Sequence, residues 1–142
     1  MTILVTGATG FIGSALARAL VARGERVRAL ARPSSDLSRL DGLEVEIVRG
    51  DVLEPDSLPP ALEGARLVYH LAGMLGRFGV PYSAYHALHV DGTCNLLRAC
   101  AGRGLRRFVH CSSPGMLGKV EQEILEHTQA ENRDGLLHLS GF

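Results

Sequence analysis

The chain has 142 residues, 46% of them hydrophobic and 21% charged, which is enough for one domain with a real core. Fifteen basic residues balance fifteen acidic ones, so a formal net charge of zero gives no electrostatic footprint for nucleic acid or an anionic membrane surface. No apolar run approaches membrane-spanning length and the N-terminus has no charged leader, so the expected location is the cytoplasm. Three cysteines, Cys94, Cys100 and Cys111, show no Cys-x-x-Cys spacing and read as free thiols in a reducing compartment.

The first element is a short apolar run from Thr2. It feeds Gly7-Ala8-Thr9-Gly10-Phe11-Ile12-Gly13, and an alanine-rich helical pattern follows to about Ala22. This reads as strand, phosphate loop and helix. Gly7 turns the chain sharply off the strand, Gly10 lets a pyrophosphate approach the backbone, and Gly13 lets the helix pack closely on the strand. The first-turn N–H groups, near Phe11 and Ile12, would face phosphates with the positive end of the helix dipole. The spacing is Gly-x-x-Gly-x-x-Gly rather than the Gly-x-Gly-x-x-Gly of ordinary dinucleotide-binding dehydrogenases. Taken alone, the motif also fits a tight strand-to-helix turn in an unrelated α/β protein. Ile12, Leu16, Ala19, Leu20 and Arg23 fall at the expected inner face of the helix, and Gly24 stops it.

Arg26 to Ala31 reads as a second strand. An NAD site usually has Asp or Glu at this strand end, to accept from the adenosine ribose hydroxyls. Here the residues are Ala31 and Arg32. A guanidinium can pair with the 2′-phosphate of NADP and stack on adenine, and Ser34 and Ser35 can add hydroxyl donors. The pattern favours NADP over NAD, with a solvated loop arginine as the alternative.

Leu43 to Gly50 reads as a third strand with Asp51 and Val52 at its end, followed by a short helix from Pro55 to Leu62. Taken by itself, Asp51 fits an Asx-type turn or cap. Ala65 to Gly73 is a fourth strand whose small final residues, Ala72 and Gly73, allow a ligand against backbone. His70 sits inside its apolar run and reads as a buried, hydrogen-bonded histidine. Met74 to Val80 is an irregular loop expected on the substrate side. A long helix follows from Pro81 or Tyr82 to about Ala101, with Val90, Thr93, Leu97 and Cys100 or Ala101 marking one face and Leu96 beside it. His86 and His89 share a face at i,i+3, a thin case for a metal pair. Leu105 to Ser113 is a fifth strand ending in hydroxyls. Beyond Gly118 the composition changes, with a charged helical stretch from Lys119 to about Glu131 and a short apolar end.

Strands alternating with helices imply a parallel sheet with right-handed crossovers. Five stretches occur in order: Thr6 to Gly13, Gly50-Asp51-Val52, His70-Leu71-Ala72-Gly73, Val90-Asp91-Gly92-Thr93-Cys94-Asn95-Leu96-Leu97, and Arg107-Phe108-Val109-His110-Cys111-Ser112-Ser113. Together they resemble the NAD(P)-dependent epimerase/dehydratase family, the extended short-chain dehydrogenase/reductases. The resemblance implies a Rossmann-type doubly wound parallel sheet of about five strands in the order 3-2-1-4-5. It implies a cofactor domain over residues 1–118 and a divergent helical tail over 119–142 with no domain of its own.

The resemblance further implies that Gly7, Thr9, Gly10, Phe11, Ile12 and Gly13 bind the cofactor through its pyrophosphate. Asp51 would accept from the adenine amino group with Val52 flanking the ring, and Leu71, Ala72 and Gly73 would follow the nicotinamide-side ribose. Ser113 falls on the family's catalytic Ser/Thr, which hydrogen-bonds the substrate's reacting oxygen. The expected cofactor is NADP, with NAD as the alternative. Family members take and return hydride at a sugar or alcohol carbon, and many dimerise through the helices after the fourth and fifth strands, which leaves a homodimer open.

The sequence departs from the family in three places. His89 stands where Asn usually opens the Val-x-Gly-Thr motif, and Leu117 stands where Tyr is frequent. No Tyr-x-x-x-Lys occurs: all three tyrosines lie at or before Tyr85, and Lys119 is the sole lysine. In the family the tyrosine is the general acid or base and the lysine lowers its pKa. His138 is a poor substitute. The expectation is therefore an N-terminal piece, from a truncated gene, a changed reading frame or a domain taken alone, that holds cofactor but is incomplete for catalysis. A small-molecule substrate would belong only to a longer form. The alternatives are a non-enzymatic NADP-binding redox sensor or partner subunit, or a partly folded product.

Overall fold

In a computed structural model of the chain, the described residues are 1–76 and 78–113. The chain divides after Cys111, and the fold below is that of the first unit, Met1–Cys111. The expected tail, 119–142, with Lys119 and His138, lies outside the described residues, as does Leu117.

In the first unit, five strands form one parallel sheet: β1 (Thr2–Thr6), β2 (Arg26–Ala31), β3 (Val45–Arg49), β4 (Ala65–His70) and β5 (Arg107–His110), in the order β3-β2-β1-β4-β5. This is the expected doubly wound arrangement. The apolar alternation of β1 explains it. Leu4 faces one layer with Leu30, Val68, Leu58, Leu62 and Leu96, while Ile3 and Val5 face the other with Ala17, Leu20, Val27 and Ala29. A strand buried on both faces needs helices on both sides. Strand order reverses at β1, between β2 on one side and β4 on the other, and that switch point opens a crevice at the strand ends.

Helix α1 (Phe11–Ala22) covers one face through Gly13, Ser14, Ala17 and Leu20. The expected inner face is corrected here. Ile12 is exposed, as are Ala19 and Arg23, while Leu16 only packs along the margin. The helix is rotated because its first turn must bring Gly13, not the larger Ile12, against the loop before it.

The other face is covered by α2 (Leu58–Leu62), which a 3-10 turn at Pro55–Ser57 precedes, and by the long helix after β4. Arg28 of β2 ties α2 down. Its guanidinium pairs with Glu46 across β2 and β3 at 2.9 Å and donates to the carbonyls of Ala61 (3.0 Å) and Glu63 (2.6 Å). Those are C-terminal carbonyls that a helix cannot satisfy by itself.

The long helix is interrupted. It runs as α3 (Tyr82–His86), a π-turn over Ala87–Asp91, and α4 (Gly92–Cys100). The inserted residue rotates everything after it. Gly92, Leu96 and Cys100 are buried, whereas Val90 and Leu97, both expected inside, are 45% and 46% exposed. A constant 3.6-residue period cannot anticipate a π-turn. Gly92 fits because a Cβ there would stand 2.8 Å from a methyl of Val52.

Candidate cofactor site

The site is built where β1, β2 and β4 end. Gly7 leaves β1 at φ 68°, a left-handed conformation that costs other residues energy. A Cβ on Gly7 would also stand 2.5 Å from the Leu71 carbonyl oxygen and 2.7 Å from the Ala72 nitrogen. The glycine turn and the exit of β4 therefore pack backbone on backbone. Gly10 donates to the Gly7 carbonyl at 3.0 Å and caps α1 without a side-chain bond. Ser14 is the first residue to bond back into the helix, to the Gly10 carbonyl at 3.0 Å, so the N–H groups of Phe11, Ile12 and Gly13 precede the ladder. The Phe11 and Ile12 side chains are 80% and 59% exposed, so these residues offer a ligand backbone rather than pocket walls.

Gly13 is used more strictly than the spacing implies. A Cβ there would overlap the Gly7 carbonyl and come within 2.9 Å of the Ala8 Cα. It is the loop, not the strand, that Gly13 packs against. Gly10 differs, since its Cβ would meet only the Gly7 oxygen, at 3.2 Å, and its outer side is open. Thr9 is half-buried in the same turn. The loop is thus a cradle of bare backbone beside helix N–H groups, and it fits a pyrophosphate.

At the end of β2, Arg32 is exposed, and its carbonyl accepts from Ser35 N–H at 3.0 Å and from the Arg49 guanidinium at 2.9 Å. Among the described residues its own guanidinium has no acceptor. Ser34 is exposed and Ser35 half-buried in the adjoining turn. At the end of β3, Asp51 Oδ1 accepts from Leu53 N–H at 3.0 Å, so part of its carboxylate makes an Asx turn. The Ser57 hydroxyl fixes the same corner by accepting from Asp51 N–H at 3.0 Å. Val52 is 3% exposed and belongs to the core with Leu58 and Leu96, so its side chain anchors the corner rather than walling the crevice.

Leu71 extends the β1–β4 pairing through its N–H to the Thr6 carbonyl at 3.2 Å, and Leu71 and Ala72 then turn their side chains to opposite core layers. Gly73 is exposed. Ala72 N–H donates to the Thr6 hydroxyl at 3.2 Å, and the His89 ring meets Met74, with Nε2 3.0 Å from the carbonyl. Thr6, Thr93 and His89 thus shape this segment, although side-chain spacing gave them no such role. The available signal was a set of polar residues inside apolar runs. The two histidines of the helix do not act as a pair: His86 faces Asp91 at 3.6 Å and His89 turns to Met74. Ser113 follows β5 in the second unit and is exposed. Among the described residues, no helix is long and apolar enough to cross a membrane.

Comparison with known proteins agrees with this geometry. The model of the NAD dependent epimerase/dehydratase family matches residues 3–134. Sterol demethylase protein B of Methylococcus capsulatus is 45% identical over 118 residues, which cover 83% of this chain and 36% of that protein. A 2-alkyl-3-oxoalkanoate reductase of Stenotrophomonas maltophilia is 40% identical over 124 residues, covering 87% of this chain and 37% of its own. The crystal structure of UDP-glucuronic acid 4-epimerase from Bacillus cereus in complex with NAD superposes with a TM-score of 0.73 at 31% identity, over 85% of this chain and 42% of that one. The chain spans about a third of the length of the curated relatives it matches.

Proposed function

The chain belongs to the NAD dependent epimerase/dehydratase family and carries its NAD(P)-binding Rossmann domain, and we propose that it serves an NADP-dependent reductase or epimerase acting at an alcohol or sugar carbon. The observation that carries this reading is the glycine turn from Gly7 to Gly13. Its backbone cradle lies at the switch point of the sheet, beside an exposed arginine at the end of β2. Residues 1–118 are taken as the cofactor domain.

In this reading Gly10 and the N–H groups of Phe11, Ile12 and Gly13 bind the pyrophosphate, with Gly7 and Thr9 shaping the turn. Arg32, with Ser34 and Ser35, holds the 2′-phosphate. Asp51 uses the carboxylate oxygen that the Asx turn leaves over to accept from the adenine amino group, at a corner that Val52 anchors. Leu71, Ala72 and Gly73 support the nicotinamide-side ribose. The bound dinucleotide supplies a hydride donor or acceptor. Ser113 donates a hydrogen bond to the substrate's reacting oxygen, which orients that carbon and stabilises negative charge developing on the oxygen. The reductase and the epimerase among the proteins it resembles support this substrate class.

Calorimetric titration with NADP and NAD tests the reading. The wild-type chain is expected to bind NADP more tightly than NAD. Arg32→Ala should weaken NADP about tenfold and change NAD by less than about twofold. Equal effects on the two would refute the 2′-phosphate role, and no binding of either would remove the cofactor reading.

A further inference from the structure

The core on the α4 side holds one polar circuit. Thr6 and His70 are fully buried, at 0% exposure. The circuit has a single consistent arrangement of protons. Thr93 has one hydroxyl proton, and it goes to the His89 carbonyl at 2.6 Å. Thr93 Oγ1 can then only accept from His70, whose Nε2 lies 3.0 Å away, so the ring proton sits on Nε2. Nδ1 is left as an acceptor, and the Thr6 hydroxyl donates to it at 2.7 Å. Thr6 Oγ1 is free to accept from Ala72 N–H at 3.2 Å.

Donation therefore runs one way, from Ala72 through Thr6, His70 and Thr93 to the His89 carbonyl. The His89 ring returns to the same segment. It bonds the Met74 backbone, and its Cε1 stands 3.0 Å from where a Cβ on Gly73 would be. The π-turn makes this return, because its Gly92 N–H reaches back to the Ala87 carbonyl, and His89 is carried in the widened turn. Both ends of the circuit land on Ala72–Met74, a stretch that belongs to no strand or helix. Only a neutral His70 ring satisfies every member. Burial, reinforced by His110 and His89, lowers its pKa to about 4 and keeps it neutral.

We propose that Thr6, His70 and Thr93 are positioning residues that fix the Ala72–Met74 backbone for the nicotinamide half of the bound dinucleotide. The inference rests on the cofactor reading, and it assigns the placement of this backbone to Thr6, which accepts from Ala72 N–H, and to His70 and Thr93, which act through Thr6 and the His89 turn. A purely structural role would lower stability and leave the ratio between ligands unchanged. A positioning role acts on one half of the cofactor only.

The test compares NADPH with 2′,5′-ADP, which carries the adenosine half alone, on the whole 142-residue chain. Thr93→Val should weaken NADPH about fivefold and leave 2′,5′-ADP unchanged, and Thr93→Ser should restore wild-type binding. Nitrogen-15 NMR of the wild-type chain should show His70 as the Nε2–H tautomer. If Thr93→Val does not fold, Thr6→Ser against Thr6→Val makes the same comparison from the other end. Unchanged NADPH affinity in the valine variants, equal losses for both ligands, or an Nδ1–H tautomer would overturn the positioning role while leaving cofactor binding intact. A wild-type chain that binds neither ligand would end the cofactor reading, and the positioning role with it.

Discussion

β1 and β4 are neighbours in the sheet, and their exits are built in opposite ways. The exit of β1 is controlled by what is missing. Gly7, Gly10 and Gly13 carry no side chains, and the turn is held by backbone contacts within seven residues. The exit of β4 is controlled by side chains from far away, with Thr6 lying 64 residues and Thr93 lying 23 residues from His70. The two exits touch where Gly7 meets Leu71 and Ala72. One surface is thus made by local backbone geometry and the adjoining one by a polar circuit in the core. Local geometry survives changes elsewhere in the fold. A circuit depends on all of its members, because a buried donor or acceptor without its partner costs about 1–3 kcal/mol.

The largest expected effect is at the first exit. Gly13→Ala sets a methyl into the Gly7 carbonyl and against the Ala8 Cα, and neither is a flexible side chain. The expected loss is about 3 kcal/mol or more, or failure to fold, read by chemical denaturation. A stable Gly13→Ala variant would break the claim that this exit is fixed by backbone contact.

The next effect belongs to the second exit and is set by pH. Burial lowers the folded pKa of His70 to about 4 from the ordinary histidine value of about 6.5, so the unfolded chain takes up a proton that the native ring refuses. Stability from this group is complete above pH 6.5. It is lost as pH falls towards 4, by about 3 kcal/mol at the lower limit. His70→Gln should be less stable at neutral pH and should lack this step. Denaturation midpoints of both proteins at pH 7, 5.5 and 4 check it, and parallel curves would refute it.

A smaller effect separates two glycines of the same loop. Gly10→Ala meets only the Gly7 oxygen, at 3.2 Å, and should keep stability within about 1 kcal/mol. It should weaken NADPH about tenfold, since the methyl stands where phosphate approaches. The two glycines then divide into one that shapes the fold and one that serves the ligand, a division their equal spacing hides.

Much of the fold was legible in the residues. Alternation within strands, glycine at helix ends and the run of strand–helix–strand units are local signals, and they place five strands where the structure has them. The helix faces were less legible. Ile12 and Leu97 look like core by period and are exposed, because Gly13 dictates the rotation of α1 and the π-turn dictates that of α4. Asp51 shows the same limit at the site, where its Asx turn and its proposed role at adenine use different oxygens of one carboxylate.

By itself, then, the sequence determined the β1 exit and the family, because a glycine reports a demand of its own backbone and that demand is met within a few residues. The tertiary structure alone decided the β4 exit. Thr6, His70, Thr93 and His89 have no common period or motif spacing, and a hydrogen bond acquires its direction and tautomer only when the folded sheet and helix bring donor and acceptor within about 3 Å.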